Sequence, residues 1–189
     1  MFVFERMLKL IAILAACCLS LLAVSEARGD DFGTNTSDTG PFADDASHTW
    51  CEGHLNYVPS WFDPMQDAMD NLDSQTDMTT GAPTSCYTST DIWYDVYGSS
   101  VLGLNVRGRS MCRVALTVGT VCGSFIVQLN SDLLSTYSSR RKTACHEIGH
   151  TVGLSHSSIL TSTSDCMISG DYTFHTLNSH HVSHINSKY

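Results

Sequence analysis

The sequence predicts an α+β fold, and three observations lead there. Two segments carry apolar residues at helical spacing, a block of short β-branched and aromatic runs lies between them, and six cysteines follow an N-terminal apolar run. At 189 residues the chain holds one domain with its own core, and 42% apolar against 15% charged residues is a globular composition. The formal charge of -9 argues against a nucleic-acid partner and against adhesion to anionic lipid, both of which demand a basic face. Eight cysteines in so short a chain point to an oxidising compartment.

The N-terminus explains that compartment. Arg6 and Lys9 precede an apolar run from Leu10 to Val24, and Ser25 and Ala27 occupy the small-residue positions of a signal-peptidase site. Residues 1–27 therefore read as a signal peptide cut after Ala27, which predicts secretion. The run is shorter than the roughly 20 apolar residues that span a bilayer, so no stable membrane span is expected. Leu14, Ala15, Ala16 and Cys17 resemble a lipobox, and the alternative is a protein lipid-anchored through Cys17. More apolar sequence follows Cys17, whereas a lipobox closes its run. Cleavage after Ala27 leaves Cys51, Cys86, Cys112, Cys122, Cys145 and Cys166, an even set compatible with three disulfides in any connectivity.

Residues 28–50 read as a flexible acidic leader, because Asp30 to Ser47 is rich in Asp, Thr, Gly and Ser and poor in large apolar residues. The leader holds an Arg28–Gly29–Asp30 tripeptide that chance explains, and an Asn35–Thr36–Ser37 sequon with meaning only in a eukaryote. The domain proper is expected over 51–189. Asp63 as a cap, Pro64 at the first helical position and Met65, Ala68, Met69 and Leu72 at helical spacing predict a helix to about Asp77. A Met stripe of this kind is core packing rather than a pair of soft ligands. Four strands are expected at Ile92–Tyr97, Val101–Val106, Cys112–Val118 and Phe125–Leu129, separated by Gly98, Gly108, Gly119 and Gly123. Ala144, Ile148 and Val152 predict a second helix over Arg140–Leu154, and a last one is expected over Asn178–Ile185. No feature asks for an oligomer, and a monomer is expected.

The chemistry gathers in the second helix. His146 and His150 are four apart and share a helical face, so two imidazoles can grip one metal ion. Glu147 stands next to the first of them, where its carboxylate can reach a metal-bound water as a general base without joining the coordination shell. Gly153 can end the helix with a reversal and bring His156 back as a third nitrogen ligand, completing HExxHxxGxxH. Three protein ligands with one open position are what catalytic zinc requires. The plainer reading is a helix with surface histidines, which five specified residues at this spacing disfavour. His180 and His184, with His175 and His181, could hold a second metal, although a solvated helix face explains them more simply. His48 and His54 carry no pattern.

With Met167 following inside Asp165–Cys166–Met167–Ile168–Ser169, the sequence resembles the metzincin metalloproteases, and Leu154 and Ser157 resemble the matrixins among them. The likeness covers about Cys51 to Ile185. It implies a metzincin-like catalytic domain: a twisted mixed sheet above the zinc-binding helix and a small C-terminal subdomain below the cleft. It also implies Met167 as a structural Met-turn beneath the histidines, and an exposed edge strand within Met111–Val118 that receives substrate backbone. Cys145 and Cys166 would lie together under the metal and form a disulfide, with Cys112–Cys122 and Cys51–Cys86 as companions that close short local loops. Calcium, as in matrixins, could use the Asp-rich first half, though no EF-hand loop is present. Two departures stand out: no latency segment with a free cysteine precedes Cys51 after the proposed cleavage point, and Ser169 stands where some relatives have a zinc-binding tyrosine.

The resulting expectation is a secreted zinc-dependent endopeptidase with His146, His150 and His156 as ligands, Glu147 as general base and a peptide or protein as substrate. The alternative is a secreted metal-binding interaction protein with the same fold and no proteolytic role. An intact Glu147 weighs against that alternative, since metal binding alone has no need of the base.

Overall fold

A computed structural model describes residues 41–53, 59–117, 120–157 and 164–189. The signal peptide, the lipobox cysteine, the sequon, His54 and Val118 lie outside the described residues. The architecture is α+β, with a mostly parallel sheet packed against helices. The strands are β1 (Phe42–Ala43), β2 (Ser47–His48), β3 (Trp50–Glu52), β4 (Thr79–Thr80), β5 (Ile92–Tyr97), β6 (Gly108–Thr117) and β7 (Val121–Asn130). The helices are α1 (Phe62–Gln75), α2 (Ser99–Leu102), α3 (Tyr137–Thr151) and α4 (Ser179–Lys188).

Helix α1 forms for the reason its periodicity announces: Met65, Ala68, Met69 and Leu72 make one buried stripe. Each fully buried Met or Leu contributes about 1.5–3 kcal/mol. The helix begins one residue before the expected cap, directly behind a 3₁₀ turn at Pro59–Trp61. Pro64 is then the third helical residue, where its missing N–H would have had no intrahelical partner. At the other end the Thr76 hydroxyl and N–H both donate to the Leu72 carbonyl, at 2.6 and 3.1 Å, and Thr76 is already extended.

In the main sheet β3, β5 and β7 run parallel, with Trp50 opposite Ile92 and Ile92 opposite Phe125. β1 pairs in parallel with the start of β7, and β6 pairs with β7 in antiparallel fashion. β6 pairs with no other described strand, so it is an edge. β2 and β4 form a separate two-stranded ribbon.

Two expectations are corrected here. The leader ends earlier than its composition indicates, because residues 41–50 supply β1, β2 and the first residue of β3. Ala43, His48 and Trp50 are buried in that stretch, and His48 Nε2 lies 3.2 Å from the Thr151 hydroxyl of α3. The expected strand at Val101–Val106 is instead α2 followed by a turn at Gly103, whose φ is +108°. Its backbone finds side-chain partners rather than a neighbouring strand. Asp132 accepts from Ser99 N–H at 2.7 Å, and the Asn130 amide donates to the carbonyls of Gly103 and Val106 at 3.2 and 2.8 Å. Val101 and Leu104 stay exposed while Leu102 alone turns inward, so the run does not bury the alternating face of a strand.

The disulfides are Cys51–Cys86, Cys112–Cys122 and Cys145–Cys166. The first ties β3 to the segment before β5, and the second joins β6 to β7. The third joins α3 to the chain just before Met167. Among the described residues no helix is long and apolar enough to cross a membrane.

Candidate metal centre

Helix α3 places the centre, and local sequence explains its start and stop. Thr136 caps it, accepting from Ser139 N–H at 3.1 Å, while the Ser139 hydroxyl lies 3.2 Å from Thr136 N–H in a reciprocal capping box. At the other end Gly153 has φ +90°. Its N–H donates to the His150 carbonyl at 3.1 Å, and Leu154 N–H reaches back to the Gly149 carbonyl at 3.0 Å. That is a Schellman motif, and it turns the chain so that His156 comes back toward the helix.

The three imidazoles His146, His150 and His156 converge, with one ligand atom from each lying within 4.8 Å of the others. His146 Nδ1 is 2.8 Å from the Cys166 carbonyl, and His150 Nδ1 is 2.8 Å from the Leu154 carbonyl. A carbonyl oxygen only accepts, so both Nδ1 atoms carry the proton and both Nε2 lone pairs face inward. His150 Nε2 and His156 Nε2 stand 3.1 Å apart. Nitrogens bound to one tetrahedral zinc at 2.0–2.1 Å would be about 3.3 Å apart, so the donor set fits such an ion. Burial, reinforced by the neighbouring His150 and Lys142 charges, pushes His146 well below its ordinary value and keeps it a neutral ligand. The three histidines can hold a metal ion, and they are the one such group of three or more His, Cys, Asp or Glu among the described residues.

Glu147 is buried beside the histidines and lines the same cleft. Burial pushes its carboxyl up to about 8, against the pull of the Lys142 charge. Gly108 of β6 explains how the edge strand comes so close: a Cβ there would stand 2.8 Å from Glu147 Oε1 and 2.8 Å from Thr143 Cγ2. Only glycine permits that approach. From sequence alone Gly108 reads as a separator between strands.

Met167 is fully buried, with its thioether packed against the helical backbone at Gly149, where a Cβ would collide with it. Beside it Asp165 organises the return of the chain. Its Oδ1 accepts from Met167 N–H at 3.0 Å, and its Oδ2 accepts from the Ser157 hydroxyl and from the Asn178 amide at 2.7 Å. His181 of α4 places Nδ1 3.0 Å from the same Oδ2, off the line of a hydrogen bond, so that contact is electrostatic. Burial pushes Asp165 up, but His181, Ser157 and Met167 together outweigh it and hold the carboxyl below its ordinary range.

The expected alternative of a second metal at the C-terminal histidines is not met. His181 is committed to Asp165, His175 is half-buried elsewhere with Nδ1 near the Thr173 carbonyl, and the His180 ring lies tilted against that of His184. No acidic cluster suited to calcium occurs among the described residues. The Asp165 hub was legible in the sequence only as a residue near Met167.

Asp165→Ala is expected to lower stability by at least about 3 kcal/mol, since several buried donors lose their acceptor at about 1–3 kcal/mol each. The sign with pH follows from the depressed folded value. The contribution is complete above the unfolded pKa of about 3.9 and is lost as pH falls through the lower folded one. Denaturant melts of wild type and variant from pH 7 to pH 3 check both points, and curves that stay parallel in acid would count against the hub.

Compared with known proteins, the chain matches no protein-family model and no curated sequence. The chemistry of this centre therefore rests on its own residues.

Proposed function

We propose that the chain is a secreted zinc-dependent endopeptidase of the metzincin type, with a matrixin-like motif. The observation that carries the reading is the convergence of three imidazoles beside a buried carboxylate, on the floor of a cleft of about 580 Å³ walled by an edge strand. Three nitrogen donors with room for an exogenous ligand are the donor set of catalytic zinc. When bound, zinc supplies a Lewis acid that acidifies water and polarises a peptide carbonyl.

The protein's own residues do the rest. Glu147 takes a proton from the attacking water and returns it to the departing nitrogen. Its burial raises it to about 8 even against the pull of the Lys142 charge, which makes it a stronger base than a surface carboxylate. The Cys166 and Leu154 carbonyls hold His146 and His150 in the tautomer that binds, and the Cys145–Cys166 disulfide keeps the first of those carbonyls in place. Met167 is the packing floor.

Substrate backbone adds to the open edge of β6. The residues of β6 that line the cleft are Gly108, Arg109, Ser110 and Cys112, so the expected Met111–Val118 stretch shares only Cys112 with them. The signal-peptide pattern and the three disulfides support secretion.

The test is proteolysis of casein by the mature, zinc-loaded chain. Cleavage that stops with a chelator and returns with zinc, at about one zinc per chain, is the expected result. A folded, zinc-loaded protein that cleaves neither casein nor any member of a peptide library would leave the interaction-protein alternative in possession of the site.

A further inference from the structure

Three cations line the cleft in a chain of net charge -9, and two of them have partners. Arg107 is paired with Asp171 at 3.0 Å, and Arg109 donates through Nε to Gln128 Oε1 at 2.6 Å. Lys142 is different. It is 5% exposed, stands one turn before His146 on the same face of α3, and makes no hydrogen bond or ion pair with any described residue. The carboxylate that acts on it most strongly is Glu147, which the proposed proton transfer already uses.

The Lys142 side chain is buried along most of its length and lines the cleft, where a Met or Leu would fill the same wall without placing a charge there. Its retention beside the reacting groups asks for an anion that arrives from outside. We propose that Lys142 is the recognition group for a substrate carboxylate carried next to the scissile bond, so that the enzyme prefers peptides with an acidic residue at that place. This rests on the endopeptidase reading. Burial lowers the Lys142 ammonium to about 8 even though Glu147 pulls the other way, so an incoming carboxylate would add to the negative charge that favours its protonated form.

The test uses labelled peptides that are identical except for Glu, Gln, Ala or Lys on either side of the cleaved bond, each as free acid and as C-terminal amide. Wild type is expected to favour Glu over Gln by about 10- to 100-fold in kcat/KM, the range of a hydrogen bond to a charged group. Lys142→Met should bring that ratio to near one, and Lys142→Glu should turn the preference toward Lys. If Lys142 merely tunes Glu147, both substrates slow together and the ratio survives, which overturns the proposal. A preference for free acids over amides that is the same for Glu and Gln peptides would assign the carboxylate to the chain end and overturn the proposal.

Fluorescence anisotropy on zinc-loaded Glu147→Gln gives a second readout that needs no turnover. Tighter binding of the Glu peptide than the Gln peptide, lost with Lys142→Met, supports the site even if wild type cleaves nothing; in that case the endopeptidase reading fails alone. Cleavage without acidic preference has the reverse meaning. Neither cleavage nor selective binding removes both. Lys142→Met should melt no lower than wild type, and a large drop would mark the lysine as structural and overturn its role in recognition.

Discussion

Glu147→Ala is expected to leave zinc content close to that of wild type while peptide hydrolysis falls by at least about 10²–10⁴, the range of a lost general acid–base. The loss can exceed that range, because one carboxylate is assigned both the proton taken from water and the proton given to the leaving nitrogen. Metal content should hold because the three imidazoles converge without Glu147, and their orienting carbonyls come from Cys166 and Leu154. Folding should hold as well, since burial disfavours the ionised carboxylate that the variant removes. Elemental analysis and a quenched fluorescent peptide library, run on both proteins, give the two numbers. A carboxylate at the rim of the cleft would behave otherwise, altering affinity and salt dependence while sparing turnover. Unchanged cleavage by the zinc-loaded variant would sink the proposed proton transfer.

His156→Ala is expected to strip most of the zinc. Losing an outer-shell partner of a metal ligand costs about 10–100-fold in affinity, and losing the ligand itself should cost more. Helix α3 should survive, because its Schellman turn is built from Gly149, His150, Gly153 and Leu154, upstream of the substituted residue. The variant should therefore stay folded without zinc and lose the rise in melting temperature that zinc gives wild type through mass action. His180→Ala is the control and should leave zinc content alone, as His180 lies against His184 and is not one of the three converging histidines. Full zinc occupancy in His156→Ala would remove that residue from the ligand set and with it the matrixin-like reading.

What the sequence by itself determined is what local spacing carries. The stripe from Met65 to Leu72 is a buried helical face because those residues fall within two turns of one another. His146 and His150 share a face for the same reason, and Gly153 reverses the chain because a glycine takes its φ of +90° without strain. Lys142 lies four residues before His146, but nothing in the spacing marks it as part of the site, and its burial is set by the fold.

Tertiary structure decided whatever depends on a partner distant in the chain. Val101–Val106 has a strand's composition but no strand beside it, and the side chains of Asn130 and Asp132 take its backbone groups instead. Residues 41–50 have a tail's composition, yet β1 finds Val121 and His48 finds Thr151, 103 residues away. Gly108 looks like a spacer until sheet register sets it against Glu147, and His181 looks like one of a histidine group until α4 turns it to Asp165. Helical periodicity is a property of neighbours within a few residues, whereas register, burial and the charge of a cleft are set by which remote segments meet.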